Sequence, residues 1–417
     1  PFNRLDAGLK KSFKIILIAR LELSDTGSLL SHLECTYCGN VISSDEIVRL
    51  CPKNGCEKVL FPRYRIEEKE TRKIFDSLKH RDPNMWRYKE FMPVKDDNNI
   101  VSLGEGFTPV LKSERLAHHL GIKNLLIKDE SLNPTASFKA RGISSAVSKA
   151  KEFGIRKFSI PSAGNAGGAL AAYCAKAGAE AYVFMPEDAP NANKLETFYH
   201  GAHLELVNGF INDAGRKSAE LSKEKDLFDV STLKEPYRVE GKKTMGYEIA
   251  EQCNWNLPDY IVYPTGGGTG IIGIWKAFQE LQDAGMIDSN LPKMICVQAT
   301  GCSPVVDAYF AGERHAKEFL SPKSIAAGMR VPVAIGDYLI IDAIKESNGT
   351  GIKISDEQMI EGVKKMANLE GIFCAPEGGA IVSATESLVN DGVIESDDTV
   401  LLLNTGSAFK YLDSLNS

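Results

Sequence analysis

The sequence lacks an apolar run long enough to span a bilayer, which takes about 20 consecutive apolar residues. Its longest early apolar stretch covers residues 15–19 and is followed by Arg20, without the small-residue cleavage pattern of a secretory signal. A basic excess is also missing, because 49 Lys and Arg stand against 55 Asp and Glu and leave a net charge of −6. Such a chain has no positive field for non-specific nucleic-acid binding. We therefore expect a soluble, cytoplasmic protein with no membrane or nucleic-acid partner.

Internal repeats and low-complexity tracts are absent too, and the 417 residues are 43% hydrophobic and 25% charged. This ordinary globular composition excludes disordered, collagen-like and coiled-coil chains, and the length suffices for two or more domains. The glycine loop at residues 265–270 has neither the Gly-Lys-Ser/Thr end of a P-loop nor the spacing of a dinucleotide-binding loop. Nucleoside triphosphates and NAD are therefore disfavoured as ligands.

The nine cysteines fall into two groups, and five of them are scattered through apolar segments as small core residues. The other four lie within 22 residues: Cys35, Cys38, Cys51 and Cys56. Two thiolate pairs across a short hairpin can converge on one tetrahedral zinc ion, and Gly39 and Gly55 permit the turns. The second pair is spaced by four residues rather than two, so a metal-free knuckle is the alternative. We predict a zinc-ribbon-like knuckle within an N-terminal extension, residues 1–75, and its use as a zinc-dependent interaction module is a second hypothesis.

The pattern of apolar residues along the sequence changes near residue 101. Before it, residues 1–34 show no clear period, and residues 1–14 are predicted to be poorly ordered. After it, short β-branched runs alternate with helical patterns, as in a parallel sheet with crossover helices. The predicted strands are 125–128, 158–161, 181–185, 203–207, 228–230, 260–263, 294–298, 372–375 and 399–403. The predicted helices include 140–153, 166–177, 242–253, 270–283 and 356–369. The fold class is therefore α/β, with strands enough for two sheets.

Four of the junctions after predicted strands carry unusual residues, and ligands of open α/β sheets bind at the carboxyl ends of strands. Lys139 lies in the first turn of a helix, where a cation opposes the positive end of the helix dipole; alone, it is more often a surface residue. Asn165 lies in a loop of small residues, 162–168, that lets backbone N–H groups approach an anion. The glycine loop 265–270 can cradle a phosphate. Thr405 places a hydroxyl after the last strand.

Together, these four junctions indicate pyridoxal phosphate. Its aldehyde needs a lysine for a Schiff base, its phosphate needs a cup of donors, and its ring nitrogen needs a partner that sets the electron demand. A neutral Thr405 beside the ring nitrogen would leave it mostly unprotonated. That arrangement suits elimination and replacement at the β or γ carbon better than transamination.

In order and spacing, the motifs resemble the threonine synthases of the tryptophan-synthase-β-like, fold-type II pyridoxal-phosphate enzymes. The resemblance extends from residues 103–109 through the motifs NPTASFKARG, SAGNAGG and TGGGTG to residues 404–406, about three quarters of the chain. It implies two doubly wound open-sheet domains, a smaller one over 132–255 and a larger one over 76–131 and 256–417. A cysteine knuckle precedes the catalytic body in many members of this branch.

The resemblance also implies roles for single residues. Lys139 matches the Schiff-base lysine that moves protons between substrate carbons, Phe138 supports the ring, and Asn165 matches the residue that hydrogen-bonds the phenolic oxygen. Thr405 matches the partner of the ring nitrogen. The residues that match the cofactor's phosphate site are Gly266, Gly267, Gly268, Thr269 and Gly270. The residues that match the substrate site are Ser162, Ala163 and Ala166 near the carboxylate, and Lys194 and Arg238 near the phosphate end.

Two positions depart from the commonest family motif, N-P-T-G-S-F-K-D-R-G: Ala136 replaces its glycine and Ala140 its aspartate.

The implied reaction converts O-phospho-L-homoserine and water to L-threonine and phosphate, and the implied assembly is a homodimer. Relatives with the same cofactor apparatus act on other amino acids, because a fold does not decide the substrate. The alternatives are therefore a serine or threonine dehydratase, a diaminopropionate ammonia-lyase and a cysteate synthase.

Overall fold

A computed structural model describes residues 27–415, which form three sheets with helices packed around them. The strands are β1 (Leu30–Cys35), β2 (Val41–Ser43), β3 (Leu60–Tyr64), β4 (Val110–Lys112), β5 (Asn124–Asp129), β6 (Lys157–Pro161), β7 (Glu180–Pro186), β8 (His203–Val207), β9 (Phe228–Asp229), β10 (Tyr260–Pro264), β11 (Lys293–Ala299), β12 (Thr350–Ile354) and β13 (Thr399–Asn404). The poorly ordered start predicted for residues 1–14 lies outside the described residues.

The α-helices of the same part of the chain are α1 (Glu68–Ser77), α2 (Arg115–Leu120), α3 (Lys139–Glu152), α4 (Asn165–Ala177), α5 (Asn191–Tyr199), α6 (Ile211–Lys225), α7 (Arg238–Gln252), α8 (Thr269–Asp283), α9 (Pro304–Phe310), α10 (Asp337–Glu346), α11 (Asp356–Glu370), α12 (Pro376–Asn390) and α13 (Leu412–Leu415). Short 3₁₀ helices cover Leu78–His80, Met85–Phe91, Asp97–Asn99, Glu130–Leu132, Pro134–Ala136 and Ala408–Lys410. None of these helices is both long enough and apolar enough to cross a bilayer.

Two of the sheets are built from parallel strands. The larger has the order β12-β11-β10-β13-β5-β4, in which only β4 is antiparallel to its neighbour. The smaller has the order β8-β7-β6-β9 and is parallel throughout. Every residue of the central strand β10 is buried, as expected of a parallel strand covered by helices on both faces. The loops that leave the carboxyl ends of these strands therefore come together on the sheet edges.

The third sheet is small and antiparallel, with β1 paired to β2 on one side and to β3 on the other. It is held to the rest of the molecule by side chains of the turn after β1. The hydroxyl of Thr36 lies 2.6 Å from that of Tyr338, and the ring of Tyr37 stands edge-on to Tyr338 at 5.4 Å. The knuckle predicted within residues 1–75 is therefore docked against helix α10.

Helix α7 packs between α3 and α8 and is buried from Arg238 through Ala250. Such burial forces its charges to be paired. Glu248 accepts hydrogen bonds from Arg141 at 2.5 Å and from Lys128 at 2.7 Å, and Arg141 also binds Glu130 at 2.6 Å. This network ties α3, the helix that begins with Lys139, to α7 and to strand β5.

The predicted α/β class is correct, and eight of the nine predicted strands occur with shifts of at most two residues at either end. The strand predicted at 372–375 is wrong: this segment makes a single bridge, between Cys374 and Ser407, and Pro376 then begins α12. Proline suits the first position of a helix because its missing N–H has no partner there. Strands β1 to β4 and β12 were not predicted. The strands of the three sheets fall within the three predicted domain ranges, whose boundaries stay a prediction.

Candidate active site

A cavity of about 130 Å³ lies where loops from both parallel sheets meet. Its wall contains most of the residues singled out in the sequence: Phe138, Lys139, Ser162, Ala163, Asn165, Ala166, Gly266, Gly267, Gly268, Thr269, Gly270 and Thr405. The loops after β6, β10 and β13, with the first residues of the helices α4 and α8, supply all of these except Phe138 and Lys139, which stand at the start of α3. Three of the four junctions follow β5, β10 and β13, which are neighbours in the larger sheet and whose carboxyl ends share an edge. The fourth, with Asn165, follows β6 of the smaller sheet and meets them where loops of the two sheets come together.

Lys139 is the first residue of α3, and its Nζ lies 4.3 Å from the centroid of the Phe138 ring. The pKa of Lys139 is lowered from 10.5 to about 8: burial and the positive charge of Arg238 lower it, whereas the carboxylate of Glu377 raises it. A lysine in this environment keeps a useful fraction of neutral, nucleophilic amine near neutral pH.

Backbone hydrogen bonds join the segment before Lys139 to the segment around Thr405. The N–H of Phe138 donates to the carbonyl of Thr405 at 3.1 Å, and the N–H of Ser407 donates to the carbonyl of Ala136 at 3.1 Å. To make these bonds, Ala136 adopts a left-handed conformation with φ of +52°. A glycine adopts that conformation without steric strain. The alanine that replaces the family's glycine here therefore holds the same hydrogen-bonded loop with a strained backbone.

The glycine loop has no room for side chains. A Cβ on Gly266 would overlap the carbonyl oxygen of Gly328, and one on Gly270 would overlap the hydroxyl of Tyr263. Gly268 has a φ of +78° and caps α8, whose first N–H groups have no partners within the helix. A tight loop that ends at a helix N-terminus is a binding site for a phosphate group.

Buried polar atoms without a hydrogen-bond partner point into the same space. Among the described residues they include Oδ1 of Asn165, the hydroxyl of Tyr263 and Oε2 of Glu377, all three from residues that line the cavity. The amide Nδ2 of Asn165 donates to the hydroxyl of Tyr411 at 3.0 Å, which fixes the orientation of the side chain. Buried polar atoms normally find partners, so these atoms indicate a polar ligand.

The lining residues that were not identified in the sequence include Glu377, Tyr411 and Arg330. The other Glu377 oxygen, Oε1, accepts a hydrogen bond from the N–H of Gly328 at 2.8 Å, and burial raises the pKa of this carboxyl group. An acidic residue after a proline at a helix start is an ordinary feature of sequences. No local pattern therefore distinguished Glu377 from a simple helix terminus.

Comparison with known proteins agrees with this geometry. The model of a family described as pyridoxal-phosphate dependent enzyme matches residues 101–406. The threonine synthase of Methanocaldococcus jannaschii is 35% identical to this chain over 381 residues, 91% of this chain and 93% of that protein. The threonine synthase of Methanosarcina acetivorans is 36% identical over 380 residues, 91% of this chain and 92% of that protein. The chain belongs to the pyridoxal-phosphate dependent enzymes, in their threonine synthase branch.

The fold of this pyridoxal-phosphate dependent enzyme is also that of a solved relative. The structure of maize serine racemase matches with a TM-score of 0.63, at 20% identity, over 74% of this chain and 94% of that chain. At this identity the likeness shows the fold alone. It confirms the predicted fold-type II architecture, while the family match confirms the predicted cofactor and the lyase class.

The cavity fits pyridoxal phosphate. Its wall combines a lysine of lowered pKa, a helix N-terminus behind a glycine loop, and buried polar atoms without protein partners. These are the groups that the aldehyde, the phosphate and the polar ring substituents of this cofactor require. The residues present are therefore compatible with the cofactor of the family.

The structure places Lys194 and Arg238 away from the cavity wall. Lys194 lies in α5 and donates to the carbonyl of Glu187 at 2.6 Å, beside a neighbouring depression. Arg238 is buried, its Nη1 donates to the carbonyl of Val230 at 2.5 Å, and its Nε has no partner among the described residues. The substrate-binding role of both residues stays a prediction.

The four clustered cysteines are brought together as predicted. All ligand sulfur atoms lie within 4.8 Å of one another, and the pairs Cys35 with Cys56 and Cys38 with Cys51 lie 3.6 and 3.7 Å apart. Sulfur atoms about 2.3 Å from a tetrahedral zinc ion are about 3.8 Å from one another. Gly39 and Gly55 have the positive φ values, +68° and +73°, that their turns require. The cluster therefore has the geometry of a four-thiolate metal site.

Proposed function

We propose that this enzyme converts O-phospho-L-homoserine and water to L-threonine and phosphate. The observation that carries the proposal is the convergence of Lys139, Asn165, the glycine loop and Thr405 on one cavity, in a chain whose relatives in two methanogens are threonine synthases. A beta- or gamma-carbon elimination followed by addition of water needs a base that works at more than one carbon. A lysine with a pKa of about 8 suits that task.

Bound pyridoxal phosphate supplies an aldehyde for condensation with an amine and a ring that withdraws electrons from the substrate carbons. Lys139 would hold the cofactor through its amine, and the same amine would accept and return protons at the substrate's α and β carbons. Phe138 would support the ring. Asn165 would hold the phenolic oxygen, with its side chain oriented by the hydrogen bond to Tyr411.

The remaining lining residues bind the charged ends of cofactor and substrate. The residues proposed for the cofactor's phosphate are Gly266, Gly267, Gly268, Thr269 and Gly270, through their N–H groups at the start of α8. Thr405 offers its neutral hydroxyl to the ring nitrogen. Ser162, Ala163 and Ala166 hold the substrate carboxylate on the loop before α4. Arg238 and Lys194 supply positive charge toward the substrate's phosphate end.

Three further properties belong to the same proposal. The chain forms a homodimer, as the resemblance to the family implies, and light scattering of the purified protein tests this. It works in the cytoplasm. The four cysteines hold one structural zinc ion, as supported by the sulfur spacing of the cluster.

The reaction is tested by supplying O-phospho-L-homoserine, O-phosphoserine, serine and threonine one at a time. We expect threonine and inorganic phosphate from O-phospho-L-homoserine only. A 2-oxo acid from serine or threonine would instead assign the enzyme to the dehydratases, and sulfite-dependent turnover of O-phosphoserine would indicate a cysteate synthase. Diaminopropionate, tested in the same assay, would yield ammonia with an ammonia-lyase.

The role of Lys139 is tested by Lys139→Ala, with Lys151→Ala as the matched control. Both lysines lie in α3, but Lys151 is on its exposed side and donates to the carbonyl of Asn98 at 2.9 Å. Lys139→Ala should lose both turnover and the visible absorbance of the lysine-bound cofactor, whereas the control keeps both. Wild-type turnover in Lys139→Ala would refute the assignment.

A further inference from the structure

The cavity contains a cation that the proposed mechanism does not use. Among its lining residues, Lys139 and Arg330 carry positive side chains and Glu377 carries a negative one. Lys139 is committed to the cofactor in the proposed function, and the glycine loop to the cofactor's phosphate. Lys194 and Arg238, which the proposed function assigns to the substrate's phosphate end, do not line the cavity. Arg330 is therefore the lining cation that remains for direct contact with an anionic group of the substrate.

Arg330 lies on a loop that covers the glycine loop. The carbonyl oxygen of Gly328 occupies the space in which a Cβ of Gly266 would lie, and Cγ2 of Val331 is 3.1 Å from the same point. The N–H of Gly328 is in turn bound to Glu377 at 2.8 Å. Residues on both sides of Arg330 thus pack against the glycine loop, and the Arg330 side chain is 19% exposed.

The guanidinium of Arg330 pairs with a carboxylate that is open to solvent. Its Nη2 lies 3.0 Å from Oδ2 of Asp188, whose side chain is 55% exposed. Asp188 follows strand β7 of the smaller parallel sheet, so the pair joins a loop of that sheet to the loop that carries Arg330 at the cavity wall. Ion pairs with a solvent-exposed partner are weak. A dianionic phosphate, which accepts two parallel hydrogen bonds from a guanidinium, can replace such a carboxylate.

We propose that Arg330 binds the phosphate group of the substrate and thereby selects a phosphorylated amino acid, while Asp188 holds the guanidinium in place when no substrate is bound. This inference rests on the proposed function and adds the residue that recognises the leaving group. Arginine stays charged throughout the working pH range. Substrates that carry a hydroxyl in place of the phosphate cannot displace Asp188, which gives the selection its physical basis.

The test uses holoenzyme, so that the cofactor's own phosphate site is filled. Four variants are compared with wild type: Arg330→Gln, Arg330→Lys, Asp188→Asn and, as control, Arg216→Gln. Arg216 forms an exposed ion pair with Asp213 in α6 and is not among the residues that line the cavity. The measurements are the KM and kcat for O-phospho-L-homoserine and the Kd for inorganic phosphate by titration calorimetry.

Arg330→Gln should raise the KM and the phosphate Kd about 10- to 100-fold, because it removes charge-assisted hydrogen bonds. The KM and the phosphate Kd of Arg330→Lys should lie between those of Arg330→Gln and wild type, since an ammonium group is a point charge that cannot donate two parallel hydrogen bonds. Asp188→Asn should bind phosphate more tightly than wild type, because the competing carboxylate is gone. Arg216→Gln should match wild type.

An unchanged phosphate Kd in both Arg330 variants, or an equal loss in Arg216→Gln, would overturn the inference. Retained cofactor absorbance shows that a variant is folded, and if Arg330→Gln does not fold, Arg330→Lys and Asp188→Asn decide. The two proposals fail separately. If wild type makes threonine while the Arg330 variants keep its phosphate affinity, only this inference fails; if wild type makes none but binds phosphate through Arg330, only the proposed reaction fails.

Discussion

The carboxylate of Glu377 raises the pKa of Lys139, so replacing Glu377 with glutamine should make the lysine lose its proton more easily. The substitution keeps the size of the side chain and can keep the hydrogen bond from Gly328, which goes to Oε1. It removes the negative charge and replaces the second carboxylate oxygen with an NH2 group. The resulting change should appear in the pH dependence with which Lys139 attaches to pyridoxal phosphate, because only the neutral amine attacks the aldehyde.

The size of the effect follows from the pKa of Lys139. A pKa of about 8 in place of 10.5 corresponds to about 3 kcal/mol in favour of the neutral amine. At pH 7 the neutral fraction is then about 10%, against about 0.03% for a lysine with the ordinary pKa. Below pH 8 the attachment rate of wild type should rise about tenfold per pH unit, and it should level off above pH 8. In Glu377→Gln the levelling should begin at a lower pH.

The assay mixes cofactor-free protein with pyridoxal phosphate between pH 6 and pH 10 and follows the visible absorbance in a stopped-flow instrument. A small free amine measured in parallel corrects for titration of the cofactor itself. Glu361→Gln is the control, because Glu361 lies on the exposed side of α11 and pairs with Lys364 at 2.7 Å. A wild-type midpoint near pH 10, or a midpoint that rises in Glu377→Gln, would refute the reasoning.

Three other changes have expected outcomes. Ala136→Gly should raise the melting temperature of the apoprotein, because a left-handed alanine costs about 1 kcal/mol; a lower melting temperature would contradict the strain. Gly266→Ala should weaken cofactor binding at least about tenfold in equilibrium dialysis, because the new Cβ would overlap the carbonyl oxygen of Gly328. The control Gly215→Ala, on α6 with open space around it, should leave cofactor binding unchanged. Atomic emission should find one zinc ion per chain in the purified protein. Cys51→Ser should lose the metal and have a lower melting temperature than wild type. Four reduced cysteines without metal in the wild-type protein would refute the site.

Much of the fold could be predicted because local pattern and final structure agree along most of the chain. The strand β10 is a short apolar run, and the helix α8 that follows it begins at the end of its glycine loop. Prediction failed where an element depends on its neighbours. Residues 372–375 form an apolar run that resembles a strand, but only Cys374 finds a bridge partner before Pro376 starts a helix. Strand β12, with a glycine and two charged or polar residues in five, owes its place to pairing with β11.

The sequence by itself singled out most of the residues of the candidate cofactor site that line the cavity. The segment before Lys139, the glycine loop and Thr405 follow β5, β10 and β13, which are neighbours in the larger sheet, so strand order alone brings them to one edge. Asn165 follows β6 of the smaller sheet and joins them where the two sheets pack together. The close spacing of the cysteine pairs determined the metal cluster in the same local way.

Only the tertiary structure decided which other charges reach the cavity. Glu377, Tyr411 and Arg330 come from segments with no local signature, and their positions follow from packing between loops far apart in the chain. The same packing leaves Lys194 and Arg238 outside the cavity wall. A charged side chain interacts strongly with a bound ligand only when the two are a few ångströms apart. Residues that are distant in sequence come that close only when the two parallel sheets pack together.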